Sequence, residues 1–406
     1  MLSRRRSLAL LGGTAASLAL AGPRIALARA ATDKRFVFVI LRGALDGLAA
    51  VPPYGDPDYR RVRGALALAE PGQADGALDL DGRFGLHPAL QPLHAMYQAR
   101  EMLVVHAVAT SYRARSHFDA QDQLENGTTR PRGAADGWLN RALGLFGTTG
   151  EQRLGLAVGQ TVPLVLRGAT PVGSWAPQQL PELNSDFLTR LAQLYAPDPV
   201  LGPAIREGMR TQSMTDGVLG DDGRADRMGG SQRGPRAVAA SAQAVGRLLA
   251  APQGARVAVI ELGGWDTHSG QGTIAGRLAP NLKMLADGLS ALKAGLGPAW
   301  AQSVVVVATE FGRTVAPNGT GGTDHGTAGA AFVLGGRVAG GRVLGAWPGL
   351  AASRLLDGRD LAPTSDLASL FKAALIAHLG LPADAVERRV FPGAGGAPPL
   401  ADVIRS

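Results

Sequence analysis

The 406 residues contain no cysteine. Disulfides and thiolate metal sites are therefore excluded, and any metal must be held by His, Asp and Glu. Beyond the first thirty residues there is no apolar stretch long enough to span a bilayer. Clustered cations are missing as well. The formal charge of +8 includes Arg4, Arg5, Arg6, Arg24 and Arg29 of the N-terminal segment, which holds no acid, so 36 basic and 33 acidic side chains remain after it. So small and dispersed an excess gives no electrostatic case for nucleic-acid binding. Neither a phosphate-binding Walker loop nor a G-x-S-x-G elbow is present.

What is present begins with an export signal. Arg4, Arg5 and Arg6 precede an apolar run from Leu8 to Leu20, and Ala28-Arg29-Ala30 offers a small-residue cleavage site. The arginine pair just before Ser7 and Leu8 favours the twin-arginine route, which carries folded proteins, over the ordinary secretory route, which also starts with positive charge. The expected location is periplasmic or secreted, with the twin-arginine export machinery as a partner. With 46% hydrophobic residues overall, the remaining chain can bury a large core.

The apolar runs set the fold class. FVFVIL at 36–41, MLVVHAVA at 102–109, RVAVIEL at 256–262, SVVVVAT at 303–309 and AAFVLGG at 330–336 read as buried strands. Helical patterns fall around Leu90, Leu93 and Met96, at 278–296, and at 367–380, where Gly380 ends the helix. This alternation predicts an α/β fold with a large, mostly parallel central sheet and helices on both faces. Residues 70–85 read as a short hairpin or loop insertion, and the polar stretch at about 206–235 as a mobile excursion.

Open α/β sheets bind ligands beyond the carboxyl ends of their strands. Asp46 follows the first strand, Ser116 and His117 the second, Asp266 and His268 the third, and Glu310 the fourth. Asp324 and His325 stand fourteen and fifteen residues beyond Glu310. In LGGWDTHSG, Asp266 and His268 are two apart and share a face if the loop is extended; they can equally serve turn hydrogen bonds. Mixed carboxylate and imidazole ligands suit zinc, manganese or iron. Ser116 opens an apparent helix with Asp119 three residues on, a capping-box pattern, yet a hydroxyl at a helix N-terminus beside a metal can also act as a nucleophile. His87, His94, His106 and His378 lie in strand, helix or turn contexts and read as structural.

Taken together, RGALDGLAAVPPYGDPDY at 42–59, LHPALQPLHAMY at 86–97, RSHFDAQDQLENG at 115–127, DGWLNRAL at 136–143, GGWDTHSG at 263–270, TEFGRT at 309–314 and GGTDHG at 321–326 carry a resemblance. The chain resembles the domain of unknown function 1501 family, bacterial exported proteins similar to the alkaline phosphatase and sulfatase superfamily. The resemblance implies one alkaline phosphatase-like α/β domain over 31–406. It also implies a site with one or two divalent transition metals at the C-terminal edge of the sheet, hydrolysing phosphate or sulfate esters of a small molecule or polymer. By position it implies Asp46, Asp266, His268, Glu310, Asp324 and His325 as metal ligands, with Ser116 near the nucleophile and His117 either catalytic or a ligand. Arg42, Arg115 or Arg313 would hold the substrate anion, because a guanidinium matches phosphate and sulfate geometry. The alternative expectation is a metal-stabilised envelope protein that binds a partner without turnover; a metal-free Ser116–His117 hydrolase ranks third.

Overall fold

The computed structural model describes residues 32–146, 154–177, 185–199, 201–203, 205–206, 208–209, 218–219, 234–394 and 396–405. The segment read as an export signal and most of the 206–235 excursion fall outside these.

The five strands expected from the apolar runs form, with small shifts at their ends, and six shorter strands join them among the described residues. They are β1 (Arg35–Leu41), β2 (Leu78–Asp79), β3 (Gly85–Leu86), β4 (Met102–Ala109), β5 (Gly155–Val158), β6 (Gly173–Trp175), β7 (Val257–Leu262), β8 (Ser303–Thr309), β9 (Gly329–Leu334), β10 (Val343–Leu344) and β11 (Ser365–Asp366). β2 and β3 pair antiparallel, so the insertion read at 70–85 holds a short hairpin. The other nine strands make one sheet in the order β10-β4-β9-β8-β1-β7-β5-β6, with β11 on β4.

Every pairing in this sheet is parallel except the two made by β9, which runs antiparallel to both β4 and β8. The reversal positions the site. Parallel pairing sets Leu41 of β1 beside Thr309 of β8, and antiparallel pairing sets Gly329 of β9 beside Val108 of β4. The start of β9 therefore lies at the same edge as the ends of β1, β4, β7 and β8.

Helices cover both faces. Those used below are α1 (Gly47–Ala50), α2 (Tyr59–Arg63), α3 (Gln91–Gln98), α4 (His117–Asn126), α5 (Trp138–Gly144), α6 (Ser185–Leu194), α7 (Pro235–Ala250), α8 (Leu278–Leu296) and α9 (Leu367–Ala373). Alternate side chains of β1 divide between two cores, as strand geometry requires. Val37, Val39 and Leu41 pack with α3, α7 and α8, while Phe36, Phe38 and Ile40 pack with α5 and α9. In the second core Trp138 stacks on Phe371 with ring centroids 4.8 Å apart and lies 5.3 Å from Phe391. Such aromatic pairs add about 0.5–1.5 kcal/mol beyond their area burial. The closing helix α9 continues as a wider turn through His378, and Gly380, in the left-handed region at φ 76°, ends it. Among the described residues no helix is long and apolar enough to cross a membrane.

Candidate metal centre

Four loops bring the chemistry together at the C-terminal edge. The first follows β1, where Gly43 at φ 117° lies so close to the β7 loop that an added Cβ would stand 2.6 Å from the backbone nitrogen of Asp266. Only glycine accepts both that conformation and that approach. The second joins β4 to α4, with His117 as the first residue of the helix and Gly127 closing it in the left-handed region. The third carries Asp266 and His268 after β7. The fourth runs from Glu310 to His325 and folds back on itself: Gly312 N donates to Thr327 O at 2.8 Å, Thr314 N to Asp324 O at 2.9 Å, and Gly326 N to Gly312 O at 2.8 Å. This long hairpin is how residues fourteen and fifteen positions beyond Glu310 return to its side.

Three imidazoles and one carboxylate converge there. His117 Nδ1 donates to Glu310 Oε1 at 2.8 Å, and His325 Nδ1 donates to the carbonyl of Arg115 at 2.9 Å. A neutral imidazole has one N–H and one lone pair. With both Nδ1 protons so engaged, the Nε2 atoms of His117 and His325 point lone pairs at each other across 2.9 Å. His268 repeats the pattern, with Nδ1 3.2 Å from Asp324 Oδ1 and Nε2 2.9 Å from His325 Nε2. Asp266 completes the group: Oδ1 lies 3.0 Å from His268 Nε2 and 3.5 Å from His325 Nε2, and Oδ2 lies 3.6 Å from His117 Nε2.

Facing lone pairs repel unless a cation or proton lies between them, so this donor set fits a metal ion. Donors bonded to one cation at about 2.0–2.1 Å stand roughly 2.9–3.4 Å apart in octahedral or tetrahedral arrangement; the two Nε2 pairs at 2.9 Å and the Asp266–His268 pair at 3.0 Å match this, while Asp266 stands slightly further, 3.5 and 3.6 Å, from His325 and His117. Imidazole with one carboxylate suits zinc, manganese or iron. The liganding atoms of His117, Asp266 and His325 all lie within 4.8 Å of one another.

The surroundings tune each group. The bond to Glu310 holds the His117 imidazole above its usual range against the opposing effect of burial. Burial keeps the His325 ring below its usual range, and the neighbouring His117 adds to this. Burial works against the charge on Asp266, but the hydrogen bond and charge of Arg313 outweigh it and hold the carboxyl low. Glu310 is likewise held low despite burial, by donors from His117 and Gln121. Asp324 is held low by the amide of Asn318, with burial opposing and His268 assisting.

Several residues expected at the site have other work. Glu310 is buried, and its Oε1 accepts from Gly43 N, His117 Nδ1 and Gln121 Nε2 at 2.8–3.0 Å while Oε2 accepts from Thr309 Oγ1 at 2.9 Å. Its hydrogen bond orients the His117 ring, the position that carboxylates behind metal-bound histidines take. Asp324 stands in the same relation to His268. Asp46, expected as a ligand, caps α1 through bonds from Leu48 N and Ala49 N to Oδ1, while Oδ2 takes Arg63 Nη2 at 2.6 Å and Gln271 Nε2 at 2.7 Å. A short acid following a strand and opening a helix is also a cap, and capping uses it here.

The three arginines expected to hold an anion are all paired with carboxylates. Arg42 binds Glu125 at 2.7 Å and Glu261, Arg115 binds Asp357 and Asp360 at 2.7 Å, and Arg313 binds Asp266 at 2.6 Å. Ser116 occupies the position before α4, but its hydroxyl caps no amide of the helix. The residues missed in the sequence are Gln121, Arg63, Gln271 and Thr323. Gln121, one turn into α4 from His117, was foreseeable from helical spacing; the others are long-range partners with no local signal.

Residues 33–388 match the family described as a protein of unknown function, DUF1501. The chain belongs to the DUF1501 family. No functionally curated protein matches this DUF1501 sequence. Among solved structures it is similar to Ps i-CgsB in complex with k-i-k-neocarrahexaose, at 9% identity and a TM-score of 0.43, covering 86% of this chain and 73% of that one. It is also similar to the zinc complex of the C-terminal periplasmic domain of EcEptC from Escherichia coli, at 13% identity and a TM-score of 0.35, covering 76% and 74%. A third likeness is to the PsFucS1 sulfatase from Pseudoalteromonas sp., at 12% identity and a TM-score of 0.38, covering 92% and 73%.

Proposed function

We propose that this chain is an exported, metal-dependent hydrolase of sulfate or phosphate esters. The observation that carries the proposal is the convergence of three imidazole Nε2 lone pairs and Asp266, each imidazole aimed from behind by an acceptor on its Nδ1. His117, His268, His325 and Asp266 would hold one divalent zinc, manganese or iron ion, which when bound supplies Lewis acidity toward an ester oxygen. Glu310, Asp324 and the Arg115 carbonyl fix the tautomers that leave Nε2 free.

Ser116 is the proposed nucleophile. It adjoins His117, its hydroxyl is free of capping, and the N-terminus of the ten-residue α4 favours negative charge at its position. Attack on sulfur or phosphorus would form a Ser116 ester and release the alcohol half with the serine proton, and water would then cleave that ester to free the acid and restore the hydroxyl. With Arg42, Arg115 and Arg313 neutralised and Asp266, Glu310 and Asp324 close by, the site favours a singly charged sulfate monoester or phosphodiester over a doubly charged phosphate monoester. Arg4, Arg5 and Arg6 support twin-arginine export to the periplasm or beyond, a route that suits a protein loaded with metal before transport.

The same paired arginines favour a second reading, a metal-holding binding protein without turnover. Assaying the purified mature protein with 4-nitrophenyl sulfate, bis(4-nitrophenyl) phosphate and 4-nitrophenyl phosphate separates the two. Turnover of either of the first two above the third, lost at least ~100-fold in S116A with metal retained, supports the hydrolase. A metal-loaded protein that turns over none of them favours the binding reading, and an S116A variant of full activity assigns the attack to water.

A further inference from the structure

Beneath the imidazole cluster lies a line of buried polar side chains that touches none of the three rings. Gln271, Thr267 and Thr323 are each 0% exposed, and Asp46 1%. Asp46 can only accept, so the donating end of the Gln271 amide must face it, and Nε2 lies 2.7 Å from Asp46 Oδ2. The opposite end, Oε1, then accepts from two hydroxyls at 2.8 Å each, Thr267 Oγ1 and Thr323 Oγ1. Thr323 Oγ1 in turn accepts from Arg313 Nε at 3.2 Å, and Arg313 Nη1 donates to Asp266 at 2.6 Å. Each donor and acceptor has one consistent assignment, running from Arg63 and Gln271 into Asp46, and from both threonines into Gln271.

The two threonines belong to the two loops that must stay in register. Thr267 sits between Asp266 and His268, and Thr323 directly precedes Asp324 and His325. The loops follow different strands, β7 and β8, and their backbones meet through Thr323 N to Thr267 O at 3.2 Å and Gln271 N to Gly321 O at 2.9 Å. A single amide oxygen shared by both hydroxyls fixes the separation of the loops from the inside. Its other end is tied to the cap of α1 and, through Arg63, to the carbonyls of Thr314 and Val315 at 3.4 and 3.0 Å.

We infer that Gln271, clamped between Asp46 and the Thr267 and Thr323 hydroxyls, is a positioning residue that sets the spacing of His268 and His325 and thereby the affinity of the site for a divalent metal. The inference rests on the metal reading proposed above. Asp46 belongs to this clamp, acting on the ligands through Gln271. In so dry a network the loss of one partner leaves another buried polar group unpaired, at the cost of its desolvation.

The test compares Q271L, T323V and T323S with the wild-type full-length mature protein, reading zinc affinity by chelator competition and the ring signals of His268 and His325 by side-chain NMR of the zinc-free form. T323V and Q271L should weaken zinc binding about 10–100-fold, the range expected for losing an outer-shell partner, and should move the His268 and His325 signals. The buried His106 and His378 signals should stay in place, which separates positioning from general loss of structure. T323S, which keeps the hydroxyl, should restore both readouts. Folded T323V and Q271L proteins with unchanged affinity and unchanged ring signals would overturn the clamp. A wild-type protein that binds no zinc, manganese or iron, but whose ring signals still move in T323V, would sink the metal reading and leave the clamp standing.

Discussion

Of the seven histidines in the chain, six divide into two groups that differ in one respect. His87 and His106 are buried, and each spends both ring nitrogens on backbone. His87 Nε2 donates to Thr273 O while Nδ1 accepts from Ala89 N, both at 3.0 Å; His106 Nε2 donates to Val51 O at 3.0 Å while Nδ1 accepts from Ala107 N at 2.8 Å. His378 donates to Arg35 O at 2.8 Å from an equally dry position. His117, His268 and His325 also engage one nitrogen with an acceptor, but their second nitrogen meets another lone pair. For His87 and His106 the arrangement is complete as it stands; His378 keeps its Nδ1 buried without a partner, but no second lone pair faces it. The second arrangement needs a cation or a shared proton between the facing Nε2 atoms, and that sets the proposed metal ligands apart from the structural histidines.

The largest effect that would sharpen this division comes from the cluster. His325→Ala should cut bound divalent metal at least tenfold, measured by mass spectrometry on protein purified without chelator, whereas His106→Gln should leave it unchanged. Equal loss in both variants would erase the distinction.

Next in size is a pH effect that is largest in the interior group. Burial pulls His106 and His378 down to about 4 from an ordinary value of 6.5. Between those values the unfolded chain binds more protons than the folded one, so stability rises with pH: it is full above about 6.5 and falls as the pH drops toward 4. Each ring contributes about 3 kcal/mol across the window. Urea melts from pH 7 to 4.5 should show this slope, and H378L should remove one ring's share of it; an unaltered slope in H378L would contradict the assignment.

A smaller effect separates a ligand from the group behind it. Glu310→Gln keeps the shape but removes the charge aligning His117, and should weaken metal binding about 10–100-fold without abolishing it. Complete loss would instead make Glu310 a ligand. The smallest effect is expected at His94, a half-buried ring with a single bond to Asp79 O at 2.7 Å; H94A should change stability by no more than about 0.5 kcal/mol in a thermal melt.

The strands were legible because continuous β-branched runs such as Val304–Val307 have few other uses, and α8 because its apolar residues recur with helical period over 278–296. The direction of β9 was not legible. A strand buried on both faces shows no alternation, and nothing in Gly329–Leu334 encodes which way it runs. The site residues were legible as a set of strand-end acids and imidazoles, since such groups at one sheet edge converge whatever the loop details. Their division of labour was not. Whether a carboxylate binds a metal, aligns a histidine or caps a helix depends on which heteroatoms lie within 3 Å of it, and those of Asp46 come from positions 48, 49, 63 and 271. The arginines misled for the same reason: Arg42 meets Glu125 and Glu261, partners 83 and 219 positions away.

X-ray absorption at the edge of whichever metal accompanies the native protein tests the central claim most directly. One divalent ion per chain, in a nitrogen and oxygen shell at about 2.0–2.1 Å with the outer-shell scattering of three imidazoles, is the predicted result. A folded native protein that retains no metal on supplementation, or one whose metal shell lacks imidazole, would contradict it.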